Sequence, residues 1–410
     1  MTAQERTNPL ATCGKPLFFP VDNIQAVQIG TPDIRLGEAI RLGVRSLTDM
    51  QKEALVYSAR TGALWRLASD EGAYLAGLDE APCPLSFLTT GMVSATMNEL
   101  LALARQRQIE IADIRLIQDN FYTMSGSARA GTMTGGARDV RLTAQIASTT
   151  DRDTLQKLVS DASIASPLNG LMRGSQPSLF ALSHNQQTIA TGAAVPLSGP
   201  IATDPGDRFD ASRPASGDWS SLIRRAGQSP EAAHTVTRAG DSLTDHQDRL
   251  LHVRGICTLR EDGVKQVEQH LYNPHGSIFT FLCDESEGFG GKGLAPDAAS
   301  FMAAGIGFCF MTQFGRYAKI VKKSLNDYRI LQDIHFSLGG ATAETGRPGA
   351  ADPVETHVFL DTGESDDFAR TALDMAEQTC FLHAFCRTDL KTIVAVQSYD
   401  EHSTLPPALS

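Results

Sequence analysis

The sequence predicts an α+β fold in which one domain occurs twice in tandem. Matching residues recur along the 410-residue chain at a constant separation of 214 positions. In each half, strand-like runs precede one long apolar helical stretch, and further strands follow it. This order favours helices packed against antiparallel sheets over a doubly wound parallel sheet. We therefore expect two copies of one domain, with central apolar helices against antiparallel sheets.

The internal repeat rests on identical residues at one fixed register. Such identities are improbable by chance, so they indicate a duplicated domain. We predict domains at 20–195 and 234–402, joined at 196–233 by a linker rich in Pro, Gly, Ser and Asp. The matched pairs are Asp70 with Asp284, Glu71 with Glu285, Pro82 with Pro296, Ser86 with Ser300, Phe87 with Phe301, Gly91 with Gly305, Arg115 with Arg329, Gln118 with Gln332, and Asp119 with Asp333.

The predicted elements follow the same order in both halves. The first strands are expected at 39–47 and 63–71, and at 250–261 and 277–285. Long apolar helices follow at 85–106 and 298–322, and then strands at 111–124 and 139–149, and at 328–338 and 355–363. Shorter helices are expected around 154–166 and 367–385, and closing strands at 187–195 and 391–399.

Composition narrows the function classes. A net charge of −11 argues against nucleic acid or an anionic membrane as the main partner. The first residues lack the basic and apolar regions of a signal peptide, and the apolar run opening at Ala298 is too short to span a bilayer. Seven scattered cysteines do not form a disulfide framework. We expect a cytoplasmic protein with reduced thiols.

Two cysteines distinguish the halves. Cys309 lies within the apolar helical run of the second half, and Cys380 follows 71 residues later. At the matching positions the first half has Ala95 and Ser166. A buried cysteine is usually inert packing, but the retention of both thiols in one half favours a function. Residues near the same helix face as Cys309 include Thr312, Gln313 and Arg316.

The stretches SFMAAGIGFC (300–309) and AEQTCFLHAF (376–385) resemble the two cysteine motifs of the OsmC/Ohr family of osmotically inducible and organic hydroperoxide resistance proteins. The resemblance covers most of 235–400 and, through the repeat, more weakly 30–195. It implies an intertwined dimer of α+β subunits with thiol sites near the interface. Two such domains fused in tandem then imply a single-chain pseudo-dimer. Whether this pseudo-dimer forms a further homo-oligomer stays open.

The resemblance also implies roles for site residues. Cys309 would attack a peroxide and Cys380 would resolve the sulfenic acid, with an arginine and a glutamate activating the first thiol. The family glutamate lies ten residues before the first cysteine, where this chain has Ala299, and the proline after the second cysteine is Phe381 here. Candidate substitutes for the carboxylate are Asp297, Glu285 and Glu287, and candidate arginines are Arg316 and Arg254.

Histidines add further candidates. Cys380 and His383 would share a face of one predicted helix, so His383 could lower the thiol pKa or carry protons. A zinc site formed by Cys380 and His383 together with Cys309 and Cys386 is disfavoured, because Cys386 would point away from Cys380. We expect no metal and no cofactor. His335 stands where the first half has Phe121, and this difference suggests that it points toward the site. We predict a structural role for Arg329, Gln332 and Asp333, because these residues also occur in the half without the two thiols.

Three functions fit the residues. The leading one is a thiol-dependent peroxidase that reduces organic hydroperoxides through Cys309 and Cys380, with a small-molecule substrate and a thiol reductant as partners. The second is a hydrolase or lyase in which Cys309 attacks a small thioester, lactone or ketone, with His383 or His335 as the base. The third is a non-catalytic module holding a small ligand between the repeats. Sulfurs of Cys309 and Cys380 within bonding reach would favour redox chemistry.

Overall fold

The computed structural model describes residues 7–230, 240–400 and 402–408. The strands in these ranges are β1 (Phe19–Pro20), β2 (Gly37–Ser46), β3 (Lys52–Ser58), β4 (Leu64–Ser69), β5 (Asp113–Ser127), β6 (Thr134–Ala137), β7 (Val140–Ala147), β8 (Leu179–His184), β9 (Gln187–Ile189), β10 (Ile223–Gln228), β11 (His246–Leu259), β12 (Lys265–Asn273), β13 (Ser277–Cys283), β14 (Asp327–Ser337), β15 (Glu355–Asp361) and β16 (Thr392–Ser398). The helices are α1 (Pro9–Thr12), α2 (Ile24–Val27), α3 (Pro84–Gln106), α4 (Arg152–Ala165), α5 (Arg208–Ala211), α6 (Ala298–Val321), α7 (Asp366–Thr379) and α8 (Phe381–Arg387).

Each of the two sheets contains strands from both halves of the chain. The first has the order β1-β4-β3-β2-β14-β15-β8-β9, and the second β10-β13-β12-β11-β5-β7-β16, with β6 paired to β5. The two halves join where β2 runs antiparallel to β14 and where β11 runs antiparallel to β5. The sheets are mostly antiparallel; β8 with β15 and β7 with β16 are the parallel pairs among the described strands. The predicted α+β pseudo-dimer is therefore confirmed.

The repeat of 214 residues holds at the level of elements. Helices α3 and α6 begin 214 residues apart, and α4 and α7 match at both ends with the same separation. The meander β2-β3-β4 corresponds in order to β11-β12-β13. The two halves therefore share one topology, as predicted. The exact domain boundaries stay a prediction, and residues 231–239 of the proposed linker lie outside the described residues.

Helices α3 and α6 cross at a pair of matching glycines. A Cβ atom on Gly91 would lie 2.5 Å from the Ala298 carbonyl oxygen, and one on Gly305 would lie 2.6 Å from the Leu88 nitrogen. Only glycine allows the two backbones to approach this closely. The two long helices therefore pack directly against each other.

Helix α6 has clear signals at both ends. The Asp297 carboxylate caps its start by accepting a hydrogen bond from Ser300 N at 2.7 Å, and Lys322 ends it in the left-handed conformation. Among the described helices, α6 alone is long and apolar enough to resemble a membrane-crossing segment. Its most apolar stretch is entirely buried inside the protein. It forms the centre of the hydrophobic core.

Two matching ion pairs fasten the halves where their strands meet. Arg41 on β2 binds the Asp333 carboxylate through two hydrogen bonds of 2.8 and 2.7 Å. Arg254 on β11 binds Asp119 in the same way, at 2.8 and 3.0 Å, and His252 Nε2 lies 2.6 Å from Asp119 Oδ1. The aspartates repeated between the halves thus have the structural role predicted for them, and the candidate Arg254 is engaged by Asp119.

Replacing Asp119 by asparagine should destabilise the protein by about 3–5 kcal/mol, because it leaves the buried Arg254 guanidinium without its counter-charge. Urea unfolding at neutral pH measures this change. The Asp333→Asn variant is the matched control. The Arg41 and Asp333 side chains are 21% and 13% exposed, whereas those of Arg254 and Asp119 are 1% and 5% exposed. The loss of unfolding free energy in Asp333→Asn should therefore be smaller. Equal costs at the two sites would contradict the burial argument.

The same network gives stability a pH dependence. Burial acts to raise the pKa of Asp119, but the hydrogen bonds from His252 and Arg254 outweigh it and hold this pKa below its usual value. A lowered carboxyl pKa contributes stability that is present at neutral pH and is lost as the pH falls through the folded-state pKa. The stability difference between wild type and Asp119→Asn should therefore narrow in acid.

Several predicted elements differ from the observed ones. The middle strands β3 and β12 were not expected. The closing strand of the first half is β8 rather than 187–195, of which only Gln187–Ile189 is a strand. The helix predicted over 367–385 is two helices, because Cys380 has an extended backbone at their junction (φ −72°, ψ 118°). Cys380 and His383 therefore do not share a face of one helix, and that prediction is wrong.

Candidate functional site

The two cysteine sulfurs meet in the protein interior. Cys309 projects from the middle of α6, and Cys380 lies at the α7–α8 junction; their Sγ atoms are 3.5 Å apart. Both residues are buried. A disulfide has a sulfur separation of about 2 Å, so a small movement of either side chain would allow a bond.

The break between α7 and α8 positions Cys380. Its Sγ accepts a hydrogen bond from the backbone N–H of His383 at 3.5 Å, which caps the start of α8. Strand β6 of the first half packs directly against this junction, since a Cβ atom on Gly135 would lie 2.6 Å from the Thr379 carbonyl oxygen. The second half therefore supplies both thiols, and the first half helps to hold one of them.

Cys309 lines a small cavity of about 30 Å³. This volume accommodates one or two water-sized groups. Both halves line it: Glu71, Tyr74, Leu75, Cys83, Pro84 and Leu85 come from the first, and Arg249, Leu251, Leu271, Pro274, Cys309, Thr312, Gln313 and Phe381 come from the second.

Glu71 provides a buried carboxyl group beside the thiols. Its Oε1 accepts a hydrogen bond from Thr312 Oγ1 at 2.9 Å, one helical turn from Cys309, and its Oε2 accepts one from Tyr74 at 2.7 Å. Burial raises the pKa of Glu71, while the nearby Lys52 ammonium opposes the rise. Glu71 is not among the site residues predicted from the sequence, although the repeat pairs it with the candidate Glu285.

Two arginines lie at the cavity: Arg249 lines it, and Arg316 is bonded to the lining residue Gln313. Arg316 donates from Nε to the Ser242 carbonyl oxygen at 2.7 Å and from Nη1 to Gln313 Oε1 at 3.3 Å, while Arg249 donates to the Ser242 hydroxyl. Burial lowers the pKa of Arg316 to about 9 and that of Arg249 to about 10. The candidate Arg316 is thus close to the cavity, and Glu71 interacts electrostatically with both arginines.

The environment of Cys309 favours the protonated thiol at rest. Burial raises its pKa well above the usual value, and the contact with Cys380 adds to the rise. A backbone hydrogen bond from Leu382 and the interaction with Arg316 act in favour of the thiolate. Ionisation of Cys309 therefore depends on the charges around the cavity.

The other predicted site residues lie elsewhere. The His383 ring packs against Phe310 and Phe180, with centroid distances of 4.7 and 5.5 Å, and neither ring nitrogen has a hydrogen-bond partner among the described residues. Burial lowers its pKa to about 3, so it is a neutral packing residue. His335 lies in a separate polar cluster with Arg35, Asp333 and Glu355.

The remaining carboxylates and Cys386 are also outside the thiol cavity. Glu285 lines a second cavity, and Asp297 caps α6 beside it. Glu287 begins a short 3₁₀ turn at 287–289. Burial raises the pKa of Cys386 to about 12. In the described part of the chain, no three His, Cys, Asp or Glu side chains are grouped so as to hold a metal ion.

Comparison with known proteins gave two similar solved structures. No protein-family model matches the chain, and no curated protein does. An OsmC-like hydroperoxide resistance protein from Jannaschia sp. CCS1 is 18% identical, with a TM-score of 0.24, over 38% of this chain and 99% of that one. An osmotic stress induced and detoxification response protein from Psychrobacter arcticus 273-4 is 19% identical, with a TM-score of 0.23, over 31% and 82%.

Proposed function

We propose that the protein is a thiol-dependent peroxidase that reduces organic hydroperoxides, with Cys309 as the peroxidatic and Cys380 as the resolving cysteine. The observation that carries the proposal is the 3.5 Å separation of the two sulfurs. At this distance a sulfenic acid on Cys309 is within reach of a second thiol before further oxidation. The similarity to an OsmC-like hydroperoxide resistance protein is compatible with this activity.

The proposed reaction has three balanced steps. The Cys309 thiolate attacks one peroxide oxygen, so that an S–O bond forms, the O–O bond breaks, and the alkoxide leaves as an alcohol after taking a proton. Cys380 then attacks the sulfenic sulfur, so that an S–S bond forms and hydroxide leaves as water with the Cys380 proton. An external dithiol finally gives two electrons and two protons to restore both thiols.

The residues around the cavity support these steps. The guanidinium groups of Arg316 and Arg249 place positive charge near the developing thiolate. Burial raises the pKa of Glu71, which favours the protonated carboxyl group and suits it to pass a proton to the departing alkoxide. The hydrogen bonds from Thr312 and Tyr74 fix the carboxyl group in the cavity wall.

The hydrolase alternative has less support. It requires a base beside Cys309, and neither His383 nor His335 is among the residues that line the thiol cavity. A cavity of about 30 Å³ also suits a peroxy group better than a thioester or lactone ring. These observations favour redox chemistry.

We further propose that the protein acts in the cytoplasm with a thiol reductant. The seven cysteines are odd in number and scattered along the chain, unlike the disulfide frameworks of secreted domains.

Mass spectrometry after one equivalent of cumene hydroperoxide tests the proposal. The reduced protein should consume the peroxide, lose two hydrogens in mass and yield a peptide pair linked through Cys309 and Cys380. Dithiothreitol should restore the original mass and allow a second turnover. Unchanged peroxide, or a stable sulfenic acid without the disulfide, would exclude the proposed pairing.

His383 provides a further prediction. We expect the His383→Phe variant to reduce hydroperoxide at the wild-type rate, because the imidazole packs among aromatic rings and titrates far below neutral pH. A hydrolase that used this residue as its base would lose about 10²–10⁴ in rate. Steady-state peroxide consumption, with circular dichroism to verify folding, distinguishes the two. A large loss of rate in the folded variant would assign His383 a chemical role.

A further inference from the structure

The repeat generates a second cavity that corresponds in position to the thiol cavity. It contains Ala95 where the thiol cavity has Cys309, and Glu285 where the thiol cavity has Glu71. Its volume is about 350 Å³, against about 30 Å³ for the thiol cavity. Ala298 and Ala299 line it at the positions matching Pro84 and Leu85, so smaller side chains account for part of the extra space. The volume is in the range of small-molecule sites.

Its polar groups converge on a buried carboxylate. Glu285 Oε1 accepts a hydrogen bond from Asn98 Nδ2 at 2.9 Å. The other oxygen, Oε2, accepts no hydrogen bond from the described residues; Arg60 Nη2 lies 3.8 Å away. Arg60 is already bound through Nε to Glu38 and lies over the Phe289 ring, 3.6 Å from its centroid. Because Glu285 lines the cavity, this oxygen can accept a hydrogen bond from a ligand bound there.

The charges around this cavity are unbalanced. Buried carboxyl groups outnumber the nearby cations Arg60 and Lys265, and Arg105 on the cavity lining is exposed to solvent. Burial raises the pKa of Glu38 to about 7, with Asp297 adding to the rise, and also raises the pKa of Glu285. A bound cation would relieve this repulsion. The carboxyl groups are Glu38, Glu99, Glu285 and Asp297.

We propose that this second cavity binds a small organic cation, a primary amine with an apolar body, whose ammonium group donates to Glu285 Oε2. Phe289 and Phe336 supply apolar walls for the body of such a ligand. The site contains no thiol, so its function is distinct from peroxide reduction. The first half has Ala95 and Ser166 at the positions that match Cys309 and Cys380. Its cavity is not filled, and it binds a different kind of ligand.

Isothermal titration of the full chain with 2-phenylethylammonium tests the proposal. The cation should bind, while 3-phenylpropionate and 2-phenylethanol, which match its shape without its charge, should bind at least about tenfold more weakly. Failure of the cation to bind at millimolar concentration, or equal binding of the anion, would refute a cation site.

Variants then locate the binding. Glu285→Gln keeps an oxygen acceptor for Asn98 but should weaken binding of the cation at least about tenfold. Ala95→Leu should prevent binding of the cation by filling the cavity. The matched control Glu71→Gln removes the corresponding carboxylate from the thiol cavity and should leave cation binding unchanged. If Glu285→Gln fails to fold, Ala95→Leu decides: wild-type affinity in that variant would place the cation elsewhere and overturn the assignment.

Discussion

The Cys309→Ser variant should show no hydroperoxide reduction above background, a loss of about a thousandfold or more. A serine hydroxyl ionises far less readily than a thiol and cannot carry the oxidation from sulfhydryl to sulfenic acid. The substitution is nearly isosteric, so the packing of α6 should persist. Peroxide consumption in a coupled assay with dithiothreitol measures the effect. Retained turnover in the folded variant would remove the thiol mechanism altogether.

Cys380→Ser should give a different result at the same site. Cys309 should still react once, but its sulfenic acid would lack the thiol that now lies 3.5 Å away. Sulfinic and sulfonic forms of Cys309 should then accumulate with repeated peroxide additions, and intact-mass spectra can count the added oxygens. Cys386→Ser is the matched control, because this neighbouring cysteine is also buried, whereas the 3.5 Å sulfur contact with Cys309 is made by Cys380. Equal over-oxidation in both variants would argue against Cys380 as the resolving thiol.

Replacing Gly305 by valine should cost about 3 kcal/mol or more in unfolding free energy. Its first side-chain carbon would lie 2.6 Å from the Leu88 backbone nitrogen and 2.9 Å from the Pro84 carbonyl oxygen, so helices α3 and α6 would have to separate. Chemical denaturation measures the loss. Gly91→Val, at the matching position of α3, should lower the unfolding free energy by a similar amount.

Gly307→Val is the control on the same helix. A Cβ atom there would meet the ends of the Leu42 and Val44 side chains, at 2.6 and 3.0 Å, and these can move more easily than backbone. Its cost should therefore be smaller than that of Gly305→Val. The reverse order would mean that the helix crossing tolerates separation and that the close approach is not what specifies it.

The sequence predicted the features that depend on local pattern or on the repeat. The long helices followed from apolar runs, and the shared topology followed from repeated pairs such as Gly91 and Gly305. The linking role of Asp119 and Asp333 followed from their presence in both halves. The interpretation of Cys309 and Cys380 as neighbours depended on a family resemblance, since their 71-residue separation carries no geometric information.

Features set by tertiary contacts were missed. Cys380 interrupts a continuous helical pattern, with no proline or glycine at 379–381 to signal the break. The position of Glu285 before Cys309 along the chain makes it a candidate, yet the pairing of the two halves places Glu71 beside the thiols instead. The 214-residue offset together with an intertwined arrangement could have identified Glu71. The solitary packing of His383 among aromatic rings could not be read from a Cys-x2-His-x2-Cys spacing.

Joining both copies in one polypeptide has a genetic consequence. In a homodimer one coding sequence specifies both interfacial sites, so any substitution appears twice and neither site can change alone. Here the sheets remain shared between the halves, but each site is encoded separately. Mutation can therefore alter the chemistry around Ala95 without touching the environment of Cys309. The chain keeps the architecture of a symmetric pair while permitting two independent lines of descent within a single gene.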